Sequence, residues 1–565
     1  MYIIMPGGIL NLVSEGQPNI ILNSNPSTTF FKCSYKKYTN FGLQKFRVDY
    51  EGTKSLSLTE DTEFIFKIPR YADLLLDVYL VMTLPNIWST IIPPINNTTN
   101  QYWAPYEFRW IKNIGAKIIN RITLTCGNQT LNEYSGDYLL AMAQRDFTNT
   151  QFDKFKTMIG EYPQLTDPAN ANSRNNVYPN AFWSASEIPA PSIPATQIYI
   201  PINAWFCLNS KQAFPLTALQ YNQLQIKVTL KPINQLFQIR DVMDQLNNYP
   251  YIAPNFNADY MQFYRFTQPP PDVQLSSASY VDKRNTAWDA SAIYLNCTYG
   301  FLSDEERLVF SKQEQKYLFK KLQETVFYNV VGPTKIDIQS LGMVSTHTFY
   351  FQRSDVNLRN EWSNYSNWPY AYLPSNVVPA QTNGSYVIEY QTGSNPPQQI
   401  TVTGPGVNIN NTSTGYFVTQ QIDPQNIFDI MTSLAVMFDG AYRETNQPAG
   451  VYDLIEKYSR TKGNAPNGLY VYNYGLNATY SDINPSGAIN MSRFTHIEFE
   501  ITTTLPPLDP LAQSIPVCDP ITNTFSGVNK PTWRVYLYTY DLHLFEERYN
   551  IITFVGGNCG LLWAS

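Results

Sequence analysis

Two groups of adjacent carboxylates are the residues of this 565-residue chain whose types and spacing could do chemistry. Asp304, Glu305 and Glu306 form the first group, and Glu546 with Glu547 forms the second. A pair of carboxylates can act as general acid and nucleophile or base in glycoside hydrolysis. The first group, however, follows Ser303 at the spacing of a helix start, where the helix dipole favours acidic side chains. We interpret Glu546 and Glu547 in the same way and predict no catalytic residue.

Metal and cofactor chemistry has little support in the residue pattern. The three histidines, His347, His496 and His543, form no HxxxH or HExxH pair, and no phosphate-binding glycine loop or GxSxG elbow occurs in a useful context. We therefore predict no metal and no cofactor. Because residues 1–16 do not resemble a secretory signal, we expect reduced, unpaired thiols. The six cysteines have no CxxC spacing and are Cys33, Cys126, Cys207, Cys297, Cys518 and Cys559.

The composition indicates which elements must position these residues. Aromatic residues make up 15% of the chain and charged residues only 15%, and Tyr, Phe and Pro are abundant. This mixture is typical of strands joined by polar turns, so it predicts an all-β protein. The length exceeds one ordinary core and predicts two or more domains. The formal net charge of −6 argues against a protein that neutralises phosphates.

A basic, aromatic segment near the N-terminus, residues 24–41, allows two interpretations. Its lysines, Lys32, Lys36 and Lys37, are interleaved with tyrosines, as in an arm that binds nucleic acid. Alternatively, the turn at Asn25-Pro26 opens onto good strand formers, which would make the segment the first strand of a large β protein. Because the chain is acidic overall, we predict the strand.

Period-two alternation of apolar residues recurs along the chain and includes two matches between its halves. Tyr221, Leu224, Ile226 and Val228 have the same spacing as Phe494, Ile497, Phe499 and Ile501. The segment "TYGFLSDEER" at 298–307 shares Thr, Tyr, Glu, Glu and Arg with "TYDLHLFEER" at 539–548. We predict two copies of one sandwich, and we expect both segments to follow the last strand of their copy and to superpose.

Helical patterns are few, and long turn-rich stretches separate the strands. A capping pattern at Ser303 to Glu306 opens a helix predicted to run through 305–324 between the copies, and a second helix is predicted at 135–147. Residues 160–200 and 376–415 exceed ordinary hairpin connections and are predicted to be surface loops. Within 381–415, two β-like runs predict a small projecting hairpin.

Several landmarks together resemble the major capsid proteins of nucleocytoplasmic large DNA viruses, the double jelly-roll family. The resemblance extends over residues 7 to 565. It rests on Gly7-Gly8, Asn25-Pro26, Thr29-Phe30-Phe31-Lys32, Thr39-Asn40-Phe41, "AWFCLNSKQAFPLTALQYNQLQIKV" from Ala204, "FLSDEERLVFSKQEQKYLFKKLQ" from Phe301, Pro485-Ser486-Gly487 with Asn490 and Ser492-Arg493, and "YNIITFVGGNCGLLWAS" from Tyr549. Departures from the family pattern are the terminal Gly556-Gly557-Asn558 and Trp563 and the two long loops.

The resemblance implies two tandem eight-stranded antiparallel jelly-roll sandwiches joined by a short helical segment. The expected divisions are an N-terminal arm at 1–25, a first jelly roll at 26–312 and a second at 313–565. It also implies a structural capsid subunit that forms homotrimers, which are pseudo-hexameric capsomers tiling an icosahedral shell. Expected partners are neighbouring capsomers, penton and minor capsid proteins and an internal membrane, without direct contact to nucleic acid. The protein would be made and assembled in the host cytoplasm and reside in the virion.

The alternative is a β-sandwich protein that binds or cleaves glycans. A cleft with two carboxylates and a row of exposed aromatic residues would favour it.

Overall fold

The computed structural model of the chain describes most of its length in several ranges. These are residues 17–52, 54–89, 107–174, 178–179, 190–240, 250–258, 261–269, 288, 292–370, 385–390, 398–403, 410–411, 416–417, 427–508, 515–518, 522, 525–529 and 535–563. Two units are distinguished, residues 1–41 and residues 42–565.

The described part of the first unit contains one short helix, and residues 24–40 form no strand. Helix α1 spans Gln17–Asn23, and turns and irregular chain follow it until strand β1 begins at residue 41. Phe30 and Phe31 are fully exposed. The prediction that residues 24–41 form the first strand is therefore wrong. Aromatic and β-branched residues favour strands only where a sheet offers them a packing surface.

The strands that precede residue 303 form the first sandwich. They are β1 (Phe41–Asp49), β2 (Thr62–Lys67), β3 (Leu74–Leu84), β4 (Phe108–Trp110), β5 (Ile119–Cys126), β6 (Gln129–Tyr134), β7 (Thr196–Pro201), β8 (Phe214–Pro215), β9 (Leu224–Leu230), β10 (Phe237–Arg240), β11 (Tyr251–Ile252) and β12 (Tyr294–Leu302). One sheet has the order β1-β12-β3-β7 with β8 beside β3, and the other has the order β2-β9-β5-β6. Strands β11, β10 and β4 form a separate three-stranded sheet in that order.

The strands after residue 314 form the second sandwich. They are β13 (Gln315–Val330), β14 (Pro333–Asp337), β15 (Met343–Arg353), β16 (Ser385–Tyr390), β17 (Gln398–Thr403), β18 (Asn410–Asn411), β19 (Tyr416–Phe417), β20 (Met431–Phe438), β21 (Ala441–Pro448), β22 (Leu469–Asn473), β23 (Ile489–Asn490), β24 (Ile497–Thr503), β25 (Ile515–Cys518), β26 (Phe525–Asn529), β27 (Tyr540–Val555) and β28 (Asn558–Leu561). The principal sheets have the orders β13-β27-β15-β22 and β14-β24-β20-β21.

Both sandwiches have the same topology. When the eight framework strands of each are numbered in chain order, one sheet reads 1-8-3-6 and the other 2-7-4-5 in both halves. The registered pairs in these sheets are antiparallel, and two four-stranded sheets connected in this way form a jelly roll. Within the described residues, no strand of one sandwich pairs with a strand of the other. The predicted double jelly roll is confirmed.

The two sequence matches between the halves have different outcomes. Strands β9 and β24 are both seven residues long, are both the seventh strand of their sandwich, and alternate identically between buried and partly exposed side chains. The second match is wrong as a structural equivalence. Tyr299 lies near the end of β12 opposite Leu75, whereas Tyr540 begins β27 opposite Arg353. Glu305 to Arg307 then belong to a helix, while Glu546 to Arg548 remain in the strand.

Helices occupy connections between strands. The remaining α-helices are α2 (Ile114–Lys117), α3 (Gly136–Asp146), α4 (Asn149–Met158), α5 (Pro163–Thr166), α6 (Trp205–Leu208), α7 (Asp304–Lys312) and α8 (Glu456–Arg460). Helix α3 confirms the prediction at 135–147, and the Ser135 side chain accepts a hydrogen bond from the Tyr138 amide. Helix α7 starts where predicted, without a side-chain cap bond, but ends at Lys312. The residues beyond it form β13, because they pair along β27 from Gln315 to Val330.

The two long loops also differ from each other. Strands β16 and β17 pair in antiparallel register within 381–415, which confirms the predicted hairpin. In the described part of 160–200, Leu165 and Ala171 are buried and α5 is present, so the prediction of a projecting surface loop is wrong there. Within the described residues, no helix combines the length and apolar character needed to cross a membrane.

Candidate functional site: the interface between the two sandwiches

The carboxylates proposed for chemistry lie in two different settings. Asp304, Glu305 and Glu306 occupy the first turn of α7, as predicted, and Arg307 bridges Asp304 at 3.3 Å and Asp73 at 3.1 Å. Glu546 and Glu547 lie in the middle of β27, so the prediction of a helix start there is wrong. Because successive residues of a strand point to opposite faces, these two carboxylates cannot act together on one substrate.

Glu546 faces the interior of the second sandwich. It accepts a hydrogen bond from His347 at 2.8 Å and pairs with Arg548. The other ring nitrogen of His347 lies 3.1 Å from the Tyr474 hydroxyl. Burial alone would raise the pKa of Glu546, but His347 and Arg548 hold it below its usual value. This cluster is a satisfied polar group within the core, with its hydrogen-bonding capacity used by its neighbours.

Glu547 faces the first sandwich and belongs to an ionic network that joins the two. Arg145 on α3 approaches it at 2.6 Å and Lys320 on β13 at 3.0 Å, while the Tyr138 hydroxyl donates a hydrogen bond at 2.9 Å. Arg145 also forms a bidentate pair with Asp146, at 2.7 and 2.9 Å. Two carboxylates and two cations are therefore removed from water and neutralise one another.

The electrostatics of the network follow from this arrangement. Burial would raise the pKa of Glu547, but Arg145 and Lys320 lower it below its usual value. Burial likewise disfavours charge on Arg145, yet Asp146 and Glu547 raise its pKa above the ordinary value. Glu547 and Arg145 are thus held charged by their partners, which favours a structural role for the network over proton exchange with a substrate.

Apolar side chains of the second sandwich complete the core of the first. Trp205 packs on Phe319 with ring centroids 4.7 Å apart, and Phe214 packs on Phe554 at 5.1 Å. Tyr138 meets Phe545 at 5.4 Å. The apolar cluster of the first sandwich continues into the second through Phe319, Leu322, Tyr350, Phe545, Ile552 and Phe554. The interface is as apolar as a domain interior, which is typical of a permanent junction.

Hydrogen bonds to backbone carbonyls add to this junction at two further places. The Gln220 amide donates to the Gly557 carbonyl at 2.8 Å, in the turn between β27 and β28. The Asn360 side chain donates to the Asn234 and Phe237 carbonyls, and the Trp362 indole donates to the Gln235 carbonyl. The two sandwiches thus belong to one compact unit, residues 42–565.

A cleft of about 660 Å³ remains between the sandwiches, and it contains carboxylates. Asp137 is bound there by Lys117 at 2.5 Å and Lys231 at 3.7 Å. Burial would raise the pKa of Asp137, but these lysines hold it below its usual value. His543 stacks on Tyr350, and burial lowers its pKa to about 4. Glu324 also lines the cleft, and burial raises its pKa to about 7. Because Asp137 is already held by two lysines, the described residues do not offer it as the free nucleophile or base that a glycosidase needs beside its acid.

The third histidine, His496, lies apart from the other two. His496 precedes β24, is exposed, and its amide donates to Asp439 at 2.8 Å. Across the described ranges, no group of three or more His, Cys, Asp or Glu residues could hold a metal ion. The histidines are distributed over separate clusters.

Comparison with known proteins identifies the family. The family model for the N-terminus of major capsid proteins matches residues 29–266, and the model for the major capsid protein of large eukaryotic DNA viruses matches residues 306–560. The chain belongs to this family. As a structural major capsid protein it is a component of the virion, and the relatives are structural proteins rather than enzymes.

Individual relatives of this capsid protein are distant. It is 21% identical over 594 residues to the major capsid protein of Phaeocystis pouchetii virus, covering 99% of this chain and 100% of that protein. It is 27% identical over 343 residues to that of Chrysochromulina ericina virus, covering 57% of this chain but only 53% of that protein. The match thus spans about half the length of the second relative.

Solved structures support the fold. The superposition on the Faustovirus major capsid protein covers 95% of this chain and 94% of that protein, with a TM-score of 0.58 and 14% sequence identity. The superposition on a chain of the quasi-atomic model of the PBCV-1 virus capsid covers 95% of this chain and 100% of that chain. Its TM-score is 0.57 and the sequence identity is 16%.

Sequence reasoning did not find the interface of this capsid protein. Arg145 and Glu547 are separated by some four hundred positions, and nothing in their local sequence marks them as partners. The available signal was a charged residue inside an otherwise apolar helix pattern, "YLLAMAQRD", because a buried charge requires a partner.

Proposed function

We propose that three copies of this chain associate into a pseudo-hexameric capsomer that tiles an icosahedral shell. The observation that carries the proposal is the buried, apolar and ion-paired junction between two jelly rolls of identical strand order. A chain that is already a fixed pair of similar blocks needs only three copies to build a ring with six similar members. Cyclic symmetry of this kind closes an assembly without free interfaces in the ring.

The finer features of the proposal follow from the same assignment. The proposed domains are an arm at 1–25 and jelly rolls at 26–312 and 313–565, with α7 near the division. The net charge of −6 supports a coat that does not bind the genome directly. Neighbouring capsomers, penton and minor capsid proteins and an underlying membrane are the proposed partners, and the host cytoplasm is the proposed site of assembly.

Sedimentation of the purified full-length chain tests the proposal. We expect one species at three times the chain mass of 64.7 kDa, in reducing buffer at physiological salt. Electron microscopy of that species should show a block with six similar lobes. A stable monomer across the micromolar range would overturn the proposal, as would a dimer.

A further inference from the structure

The helix that follows the fifth framework strand occurs in both sandwiches. Helix α3 begins two residues after β6, and residues 449–460 are helical directly after β21, as a π-helical turn over Val451–Ile455 that runs into α8. The β-pairs Ile122 with Tyr134 and Leu434 with Gln447 place the two helices at corresponding positions. We define residues 449–460 as the second connecting helix.

The two helices share a local sequence, since Gly136 and Tyr138 of α3 have the same spacing as Gly450 and Tyr452. Tyr452 is buried against its own sandwich, where it packs on Tyr472, whereas Tyr138 is buried at the junction, against Phe545.

The outer sides of the two helices differ. Helix α3 is buried nearly all round, because the sheet β13-β27-β15-β22 of the second sandwich covers its outer side through Phe545, Glu547 and Thr348. A helix that is apolar on all sides needs a cover on all sides. The outer side of α3 is therefore explained by the junction within the chain.

The second connecting helix has an apolar outer side that nothing covers within the described residues. Leu454 is 63% exposed, Ile455 59% and Tyr458 93%. Residues spaced by three or four positions lie on one helix face, so Leu454 and Tyr458 form a continuous apolar surface with Ile455 beside them. Three large apolar side chains exposed together indicate an interaction surface.

We propose that this surface docks on the outer face of sheet β1-β12-β3-β7 of another copy of the chain. That sheet has the same strand order as the one that covers α3, and its outer face has no counterpart of α3 on it within the described residues. Tyr199 is exposed there, and Arg47 lies over the Tyr294 ring at 4.2 Å. Each chain thus carries one completed junction and the two halves of a second. The inference rests on the proposed trimer, since three copies joined in this way close a ring of six junctions.

Charge substitutions on the two surfaces test the docking. Leu454→Asp and Tyr199→Asp place a carboxylate in a contact that must be dry, while both side chains are exposed in the single chain. Leu358→Asp is the matched control, because Leu358 is 61% exposed but lies in a short 3-10 turn that belongs neither to the second connecting helix nor to the sheet β1-β12-β3-β7. Sedimentation velocity gives the oligomer, and far-UV circular dichroism shows that each variant is folded.

We expect Leu454→Asp and Tyr199→Asp to sediment as folded monomers, with association weakened roughly 100-fold or more, while Leu358→Asp remains a trimer. If the unmodified chain is itself a monomer, the proposed trimer fails and this inference fails with it. If the unmodified chain and Leu454→Asp are both trimers, the docking surface is wrong although the trimer stands. Dissociation of Leu358→Asp to the same extent would also overturn the assignment, because it would show no dependence on the surface.

Discussion

Arg145 of α3 and Glu547 of β27 form a 2.6 Å ion pair in which both side chains are buried between the two sandwiches. The pair is the centre of a network in which Asp146, Lys320 and Tyr138 take the remaining hydrogen bonds. A charge in such a place costs free energy unless its partners are present. The junction therefore depends on the complete network and can be tested by removing one member.

Replacing Arg145 with Leu should destabilise the protein by about 3–5 kcal/mol, because Asp146 would be left buried without its cation and Glu547 with Lys320 alone. The matched control is Arg121→Leu, which breaks an exposed pair with Glu133 at 3.0 Å and should cost at most about 1 kcal/mol. Urea unfolding followed by tryptophan fluorescence measures both variants. Equal midpoints for the two variants would show that the buried network does not hold the junction.

Substitution of Gly136 by Ala tests the packing at the start of α3. A β-carbon at Gly136 would lie 1.9 Å from the Ala116 carbonyl oxygen, whereas one at Gly450 would find its nearest neighbour, the Leu454 side chain, at 3.9 Å. We expect Gly136→Ala to lose about 1–3 kcal/mol or more of stability and Gly450→Ala to be neutral or up to about 1 kcal/mol stabilising. Thermal unfolding of both variants checks this, and a stable Gly136→Ala would contradict the close approach of α2 and α3.

Stability between pH 7 and pH 5 should depend on His543. Burial lowers the pKa of His543 to about 4, and Asp137, Lys117 and Lys231 are the charged groups around it. In the unfolded chain the histidine pKa is about 6.5. Between pH 6.5 and pH 4 the unfolded chain therefore binds a proton at this histidine, whereas the folded chain does not. The contribution is therefore present above pH 6.5 and is lost as the pH falls towards 4.

The His543→Gln variant isolates this effect. Its free energy of unfolding should fall less between pH 7 and pH 5 than that of the unmodified chain, by roughly 2 kcal/mol. His496→Gln is the control, since that histidine is exposed. Parallel pH profiles for the unmodified chain and His543→Gln would contradict the prediction.

The hairpin of β16 and β17 should be an early site of proteolysis in assembled particles. Jelly-roll connections cluster at the ends of the sandwich, and protruding tips are cut more readily than framework strands. We expect cleavage within residues 381–415 before cleavage within 485–505, which contains the framework strand β24. Mass spectrometry of the early fragments checks the order. The reverse order would place the hairpin on a protected side.

The number of free thiols and their exposure in the folded protein can also be measured. Cys33, Cys126, Cys207, Cys297 and Cys559 are free, and of these only Cys33 is exposed; the side chain of Cys518 lies outside the described residues. Burial raises the pKa of Cys297 to about 12. Titration of the unfolded chain without reductant should find six thiols, and Cys33→Ser should remove one rapidly reacting group from the folded protein. A count of four or fewer would reveal a disulfide.

Elements with a local signal could be predicted from the order of the amino acids. Alternation of apolar residues at 224–230 and 497–501 placed β9 and β24, because one face of each strand must be buried and the side-chain period of a strand is two. The apolar pattern after Ser135 placed α3 in the same way. The order of family landmarks along the chain then predicted the double jelly roll.

The boundaries of the elements and the partners of the buried charges depend on contacts between distant segments. Residues after Lys312 have helix-forming composition, yet they extend as β13 because β27 offers sixteen residues of sheet edge. Glu546 and Glu547 are adjacent in sequence but face two different cores, where His347 and Arg145 meet them from distant segments. Such choices depend on pairing register and on neighbours hundreds of residues away, and neither is encoded in the local spacing of side chains.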